Sequence, residues 1–248
     1  MNFAKTSIAA LMFVALIASG SFAATCTNAS LKGVYGSVGS GLNGSGEPAA
    51  GVSQITSDGN GNLTGTTTKS VDGTIGTFST TGTYSIAKNC TGTGTLTNQD
   101  DQSENSNIIL NNGNKGAFMI QTDPNHTVSS VAYAQGTATC TNLGVKHTYS
   151  FEATGFYTSV GQIAAAGQFV LNGAGKLTGT ATFSLDGSIS TLPVTGTYQI
   201  NSNCTGTLTF TPQGESAVNL GVVIVNGGKE MMFIETDANT ILSGTLQE

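Results

Sequence analysis

GNLTGTTTKSVDGTIGTFSTTGTYSIAKNCTGTGTL, Gly61 to Leu96, returns at Gly175 to Phe210 as GKLTGTATFSLDGSISTLPVTGTYQINSNCTGTLTF. Sliding the chain along itself by 114 positions extends the match in both directions. Cys26-Thr27-Asn28 falls on Cys140-Thr141-Asn142, Tyr35 on Tyr149, Tyr84 on Tyr198, and Thr122-Asp123 on Thr236-Asp237. A unit of about 114 residues is too long for a solenoid repeat and suits a domain. The chain therefore reads as a leader over 1–23, one copy over 24–139 and a second over 140–248.

Within a copy, short runs of Val, Ile, Thr, Tyr and Phe alternate with Gly, Asn and Asp clusters, and no helical period persists. In the first copy, strands are expected near Lys32–Ser40, Ala50–Ser57, Leu63–Ser70, Ile75–Tyr84, Gly92–Thr97, Asn107–Leu110, Ala117–Thr122 and Val128–Gln135. Asp72-Gly73 and Asp186-Gly187 suit type I′ hairpins, whose two central residues need positive φ. Hairpin after hairpin pairs strands in chain order, and closing the meander removes its exposed edges. The expected class is all-β: two tandem antiparallel barrels of about eight strands each.

Two stretches per copy break the in–out alternation: Ile108-Ile109-Leu110 with Ala117–Ile120, and Val222–Val225 with Met231–Ile234. Strands apolar on both faces need cover on both faces. The cover expected is the other copy, with the partner in a homo-oligomer as the alternative.

The leader has one cation, Lys5, an apolar run from Ile8 to Ile17, and Ser21-Phe22-Ala23 in the small-x-small form of a cleavage site. It reads as a secretory signal, and no later stretch approaches a membrane-spanning helix. A secreted or periplasmic chain with four cysteines implies disulfides. Cys26 and Cys90 are 64 apart, as are Cys140 and Cys204, which favours one bridge per copy. A loop of that length would stabilise each copy by about 4 kcal/mol.

All eight basic residues are lysines, against 14 carboxylates, for a formal charge of −6. Without arginine, the chain has no bidentate fork for phosphate, and nucleic acid is excluded as a partner. The chemistry-bearing residues are few. Asp58, Asn60 and Asn62 alternate as at the start of a calcium loop, but its sixth and twelfth positions hold Leu63 and Lys69, so the turn reading prevails. Asp123 and Asp237 read as Asx turns. His126 and His147 have no counterparts in the other copy, and no nucleophile motif accompanies them. No catalytic residue, metal site or cofactor is nominated. The paired aromatics Tyr35, Tyr84, Tyr149 and Tyr198 are the candidate ligand contacts; the alternative is core tyrosines bonded to backbone carbonyls.

The doubled L-T-G-T, D-G, T-G-T-Y and C-T-G-T signature resembles that of secreted proteins of soil bacteria, a resemblance that implies export and no particular activity. In architecture the chain is similar to the calycin-type barrels, the lipocalins and avidins, and more distantly to the allene oxide cyclase barrel. Those families place a tryptophan early in the barrel, where this chain has LKGVYGS and VKHTYSF, so no binding residues carry over. Three functions remain: a non-catalytic carrier of a small apolar ligand, a structural or adhesive extracellular protein, and a cyclase- or isomerase-like barrel. The first requires a hollow interior, because an eight-stranded barrel is either filled by side chains or holds one small ligand.

Overall fold

The computed structural model describes residues 25–248, apart from 101, 112, 114 and 138; the leader lies outside the described residues. Eight strands follow one another as an antiparallel meander: β1 (Gly33–Leu42), β2 (Pro48–Ser57), β3 (Asn62–Val71), β4 (Thr74–Ile86), β5 (Thr91–Asn98), β6 (Ser103–Asn111), β7 (Gly116–Gln121) and β8 (Ser129–Ala134). β8 pairs back onto β1 and closes the first barrel. A second closed barrel consists of β9 (Thr148–Tyr157), β10 (Gly161–Leu171), β11 (Lys176–Leu185), β12 (Ser188–Ile200), β13 (Thr205–Pro212), β14 (Val218–Val225), β15 (Glu230–Glu235) and β16 (Thr240–Gln247).

The two barrels share one register. Tyr35 lies opposite Ile55 as Tyr149 lies opposite Phe169, and Ser106 opposite Gln121 as Leu220 opposite Glu235. A one-residue slip would turn every inward side chain outward, so positions 114 apart in sequence face the same way. Asp72 and Gly73 have φ of 47° and 78°, and Asp186 and Gly187 have 47° and 83°, as type I′ turns require.

One end of each barrel is shut. The expected bridges, Cys26–Cys90 and Cys140–Cys204, tie the incoming chain to the β4–β5 and β12–β13 turns. A short 3-10 helix follows each first cysteine, Asn28–Leu31 and Leu143–Val145, and buries Leu31 or Val145 in the floor. Tyr84 holds this floor in place: its hydroxyl donates to the Asn28 carbonyl at 2.8 Å and accepts from Ser57 Oγ at 2.7 Å. Tyr198 donates likewise to the Asn142 carbonyl at 3.1 Å.

The barrels meet through unlike faces. Val223, Val225, Met232 and Ile234, on the outer faces of β14 and β15, pack on Val38, Ala50 and Val52 of β1 and β2. The second-copy strands flagged by their two-sided apolar pattern thus form the inter-barrel contact. Their first-copy counterparts do not, and Ile109, Phe118 and Ile120 stay over half exposed. Two barrels packing the same patch on each other would need a two-fold axis; tandem units joined head to tail pack different ones. Backbone bonds seal the seam, with Asn239 N–H donating to the Gly73 carbonyl and Gly227 N–H to the Gln135 carbonyl, each at 2.9 Å.

Gly36 sits in this seam on the outer face of β1. A Cβ there would lie 2.6 Å from Val225 Cγ1 and 2.7 Å from Val223 Cγ1, and short branched side chains cannot retreat. Gly36→Leu is expected to destabilise the protein by about 1–3 kcal/mol, while Ser150→Leu at the exposed counterpart position stays within about 0.5 kcal/mol. Thermal unfolding of the two variants against wild type checks this.

Candidate functional site

Because positions 114 apart share a direction, the linings of the two barrels can be compared residue by residue. In the second barrel the lumen is full. Phe151, Phe169, Phe210 and Phe233 meet inside it, with Phe151 stacked on Phe169 at a centroid distance of 4.4 Å and Phe169 tilted against Phe210 at 5.2 Å. The space left measures about 20 Å³ and its wall is almost wholly apolar. That is room for about one water, with only the Glu235 carboxyl and the Tyr157 hydroxyl on its wall to bond it.

The first barrel places Ser37, Ile55, Leu96 and Met119 where the second has those four phenylalanines. Two adjoining spaces result, which share Ser37, Leu96 and Met119 as common wall. The lower one, about 80 Å³, stands on the closed floor and is lined mainly by Leu31, Tyr35, Ile55, Leu63, Ile108, Ala117 and Ala132. The upper one, about 170 Å³, opens at the other end between the β1–β2 and β7–β8 loops, which bring Asn43 and His126 to its wall.

The upper chamber is polar where its counterpart is greasy. Lys69 replaces Phe183, Glu104 replaces Val218, Ser106 replaces Leu220 and Thr67 replaces Ala181. Lys69 projects from β3 and Glu104 from β6, and the two form an ion pair across the lumen over the intervening strands. Ser53 and Thr67 share a hydrogen bond of 2.8 Å beside them. The space thus runs from an apolar floor to a mouth carrying one ammonium and one carboxylate.

The four tyrosines singled out in the sequence lie near the closed floors. Tyr35 lines the lower chamber, and burial, followed by the neighbouring Tyr84, pushes its hydroxyl's pKa up. The hydroxyls of Tyr84 and Tyr198 bond the floor carbonyls, and Tyr149 donates to the Gly228 carbonyl at 2.6 Å. The structure therefore does not bring the four together. Lys69, Glu104, Ser106 and Thr67 were missed by sequence reasoning. Their signal was a polar or charged residue at an inward position whose counterpart is apolar.

The remaining motifs resolve into turns and clamps. Asp58 Oδ1 accepts from the backbone N–H groups of Asn60, Gly61 and Asn62, and Oδ2 from the Asn62 amide at 2.7 Å. The Asn62 side-chain bond first, then the backbone bonds, hold its carboxyl down at about 2. Asp123 clamps β6 by accepting from Asn105 N–H at 2.9 Å and Asn105 Nδ2 at 2.7 Å, and Asp237 does the same to Asn219. These cross-strand clamps go beyond the local Asx turns read from the sequence, and the matched Asn105 and Asn219 were their signal.

No family model and no curated protein matches the sequence. Among solved structures, the chain is similar to isotype 1 transferrin-binding protein B from serogroup B Neisseria meningitidis. The identity is 8% over 88% of this chain and 75% of that one, with a TM-score of 0.37. It is also similar to kievitone hydratase from Nectria haematococca, at 9% identity over 88% of this chain and 89% of that one, with a TM-score of 0.31.

The second barrel keeps one acid in its wall, Glu235, at the position of Gln121. Burial first, and then the charge of Asp237, lift its carboxyl from 4.5 to about 7 against the Tyr157 hydroxyl that donates to it at 3.3 Å. The unfolded chain loses this proton near pH 4.5 and the folded chain near pH 7, so stability falls as pH rises through that window and is level above it. Glu235→Gln, the residue the first barrel uses, is expected to remove that slope and stabilise the protein at pH 8 by about 2–3 kcal/mol, with little effect near pH 4. Chemical denaturation of both proteins across this range checks it.

Proposed function

We propose that the chain is an exported binding protein that holds one small amphiphilic molecule in the lumen of its first barrel, with the second barrel as a solid support. The observation that carries this reading is the contrast between two linings of one register. Four inward phenylalanines fill the second barrel, and at the same positions the first leaves a floor space of about 80 Å³ below a mouth of about 170 Å³. The apolar part of the ligand rests on Leu63, Ile108 and Tyr35, and its polar end meets Lys69, Glu104 and Ser53. Of the four tyrosines, Tyr35 is the ligand contact in this reading, and the other three hold the barrels' ends.

The domains are the two copies, 24–139 and 140–248, each with its own barrel and bridge. Export is supported by the leader and by the two disulfides, which persist in oxidising compartments. The calycin-like character belongs to the same reading: closed meander barrels with one open and one shut end. Among the described residues, no helix is long and apolar enough to cross a membrane.

A structural or adhesive role accounts for the filled barrel and leaves the hollow one without a reason. The cyclase-like alternative draws on the polar groups that converge at the mouth. There, however, Lys69 and Glu104 neutralise each other, an arrangement suited to orienting a polar head.

Native mass spectrometry of protein purified without denaturant should show one bound molecule per chain, released unchanged on denaturation. Isothermal titration with octanoate should give a stoichiometry of one, since the second lumen is full. The triple variant Ser37→Phe, Ile55→Phe, Met119→Phe installs three of the second barrel's four lumen phenylalanines and should abolish this binding while the far-ultraviolet circular dichroism is unchanged. Retained binding in the folded triple variant would remove the lumen as the site, and a bound molecule released chemically altered would favour the enzyme reading.

A further inference from the structure

The outer surface of the first barrel carries a row of apolar residues that is only half covered. Ile109, Phe118, Val131, Val38 and Val52 are successive pairing partners across β6, β7, β8, β1 and β2. Val131, Val38 and Val52 pack into the inter-barrel core, but Ile109 and Phe118, with Ile120 beside them, are exposed by 54%, 52% and 54%. The apolar row therefore runs from a buried interface into solvent without a break.

The second barrel shows what such a face accepts. The counterparts of Ile109, Phe118 and Ile120 are Val223, Met232 and Ile234, and these three are buried against another barrel of the same fold. We propose that the β6–β7 face of the first barrel is a self-association surface, on which two copies of the chain pair about a two-fold axis through Ile109, Phe118 and Ile120.

Head-to-tail docking is the other way a second copy could cover this face, and the sequence of the second barrel opposes it. Its receiving row reads Thr245, Glu152 and Ala166 where the first has Val131, Val38 and Val52. An apolar face laid there would bury the Glu152 carboxylate against Ile109, Phe118 and Ile120, which offer it no hydrogen bond. A two-fold contact instead sets apolar against apolar and closes at the dimer. The three side chains expose roughly 300 Å² per copy, the size of a functional patch on a monomer. That is less than half the ~800 Å² per partner of a standard interface, so the dimer is concentration-dependent.

Sedimentation velocity on the purified protein tests this. The expected result is a monomer–dimer equilibrium with a dissociation constant in the micromolar range, weakened at least tenfold by Phe118→Lys. Ile109→Lys acts the same way, and Ala166→Lys on the second barrel leaves the equilibrium unchanged. Both altered positions on β6 and β7 are exposed, and unchanged melting curves confirm that each variant is folded. A wild-type protein that stays monomeric at about 100 μM overturns the proposal. So do species that grow past the dimer, or dissociation caused by Ala166→Lys, since either means head-to-tail assembly.

Discussion

Closing eight strands into a barrel fixes their tilt and the width of the bore, so the inward side chains face a set volume that they must fill or leave open. The register of this protein makes that constraint act twice on the same positions. With Phe151, Phe169, Phe210 and Phe233 the bore is solid, and with Ser37, Ile55, Leu96 and Met119 it is hollow. Nothing in the strand pairing has to change between the two, because the Asp-Gly turns and the bridges stand at matching places. Function can therefore differ between copies by lining alone.

A hollow barrel is the weaker partner. An unfilled apolar chamber of about 80 Å³ costs about 2 kcal/mol in lost packing on the cavity scale, before a ligand or water offsets it. The upper chamber is open and polar, so water meets its hydroxyls and charges and the penalty there is smaller. The seam compensates in part, since Val38, Ala50 and Val52 of the first barrel are covered by β14 and β15 of the second. Gly36 and Gly73 let the backbones close in: a Cβ at Gly73 would stand 2.5 Å from Asn239 Cα, whereas one at Gly187 would meet nothing within 4 Å. The same Asp-Gly turn is thus a docking element in one copy and a bare hairpin in the other.

Most of the fold was legible because its determinants are local or repeated. The Asp-Gly turns set the hairpins, the 64-residue Cys spacing set the bridges, and period-two alternation set the strands. β6 begins at Ser103, four residues before the expected start, because Ser103, Glu104, Asn105 and Ser106 carry no apolar alternation to mark it. That strand start is also where the lumen turns polar, so the signal was weakest where the site lies. The site itself rests on Lys69 and Glu104, 35 residues apart, and their meeting is a property of closure across β4 and β5. Alternation alone places both inside, and an inward charge reads as an error until the bore is known to be open.

The unequal seam follows from the same duplication. Matching units on one chain cannot use one patch symmetrically unless the linker allows a two-fold, so each presents half of a shared apolar row. The second barrel has replaced its unused half with Thr245, Glu152 and Ala166, which removes a hydrophobic liability from its surface. The first barrel has not done so, and Phe118 also borders the open groove between the barrels, where Val38 and Val131 share its wall and Glu152 and Thr245 line the side of the second barrel. A sequence that turned one unused half polar and left the other apolar treats the two differently. Solubility alone would favour polar residues at both, so the retained Ile109, Phe118 and Ile120 are best accounted for by a surface that is covered when the protein works.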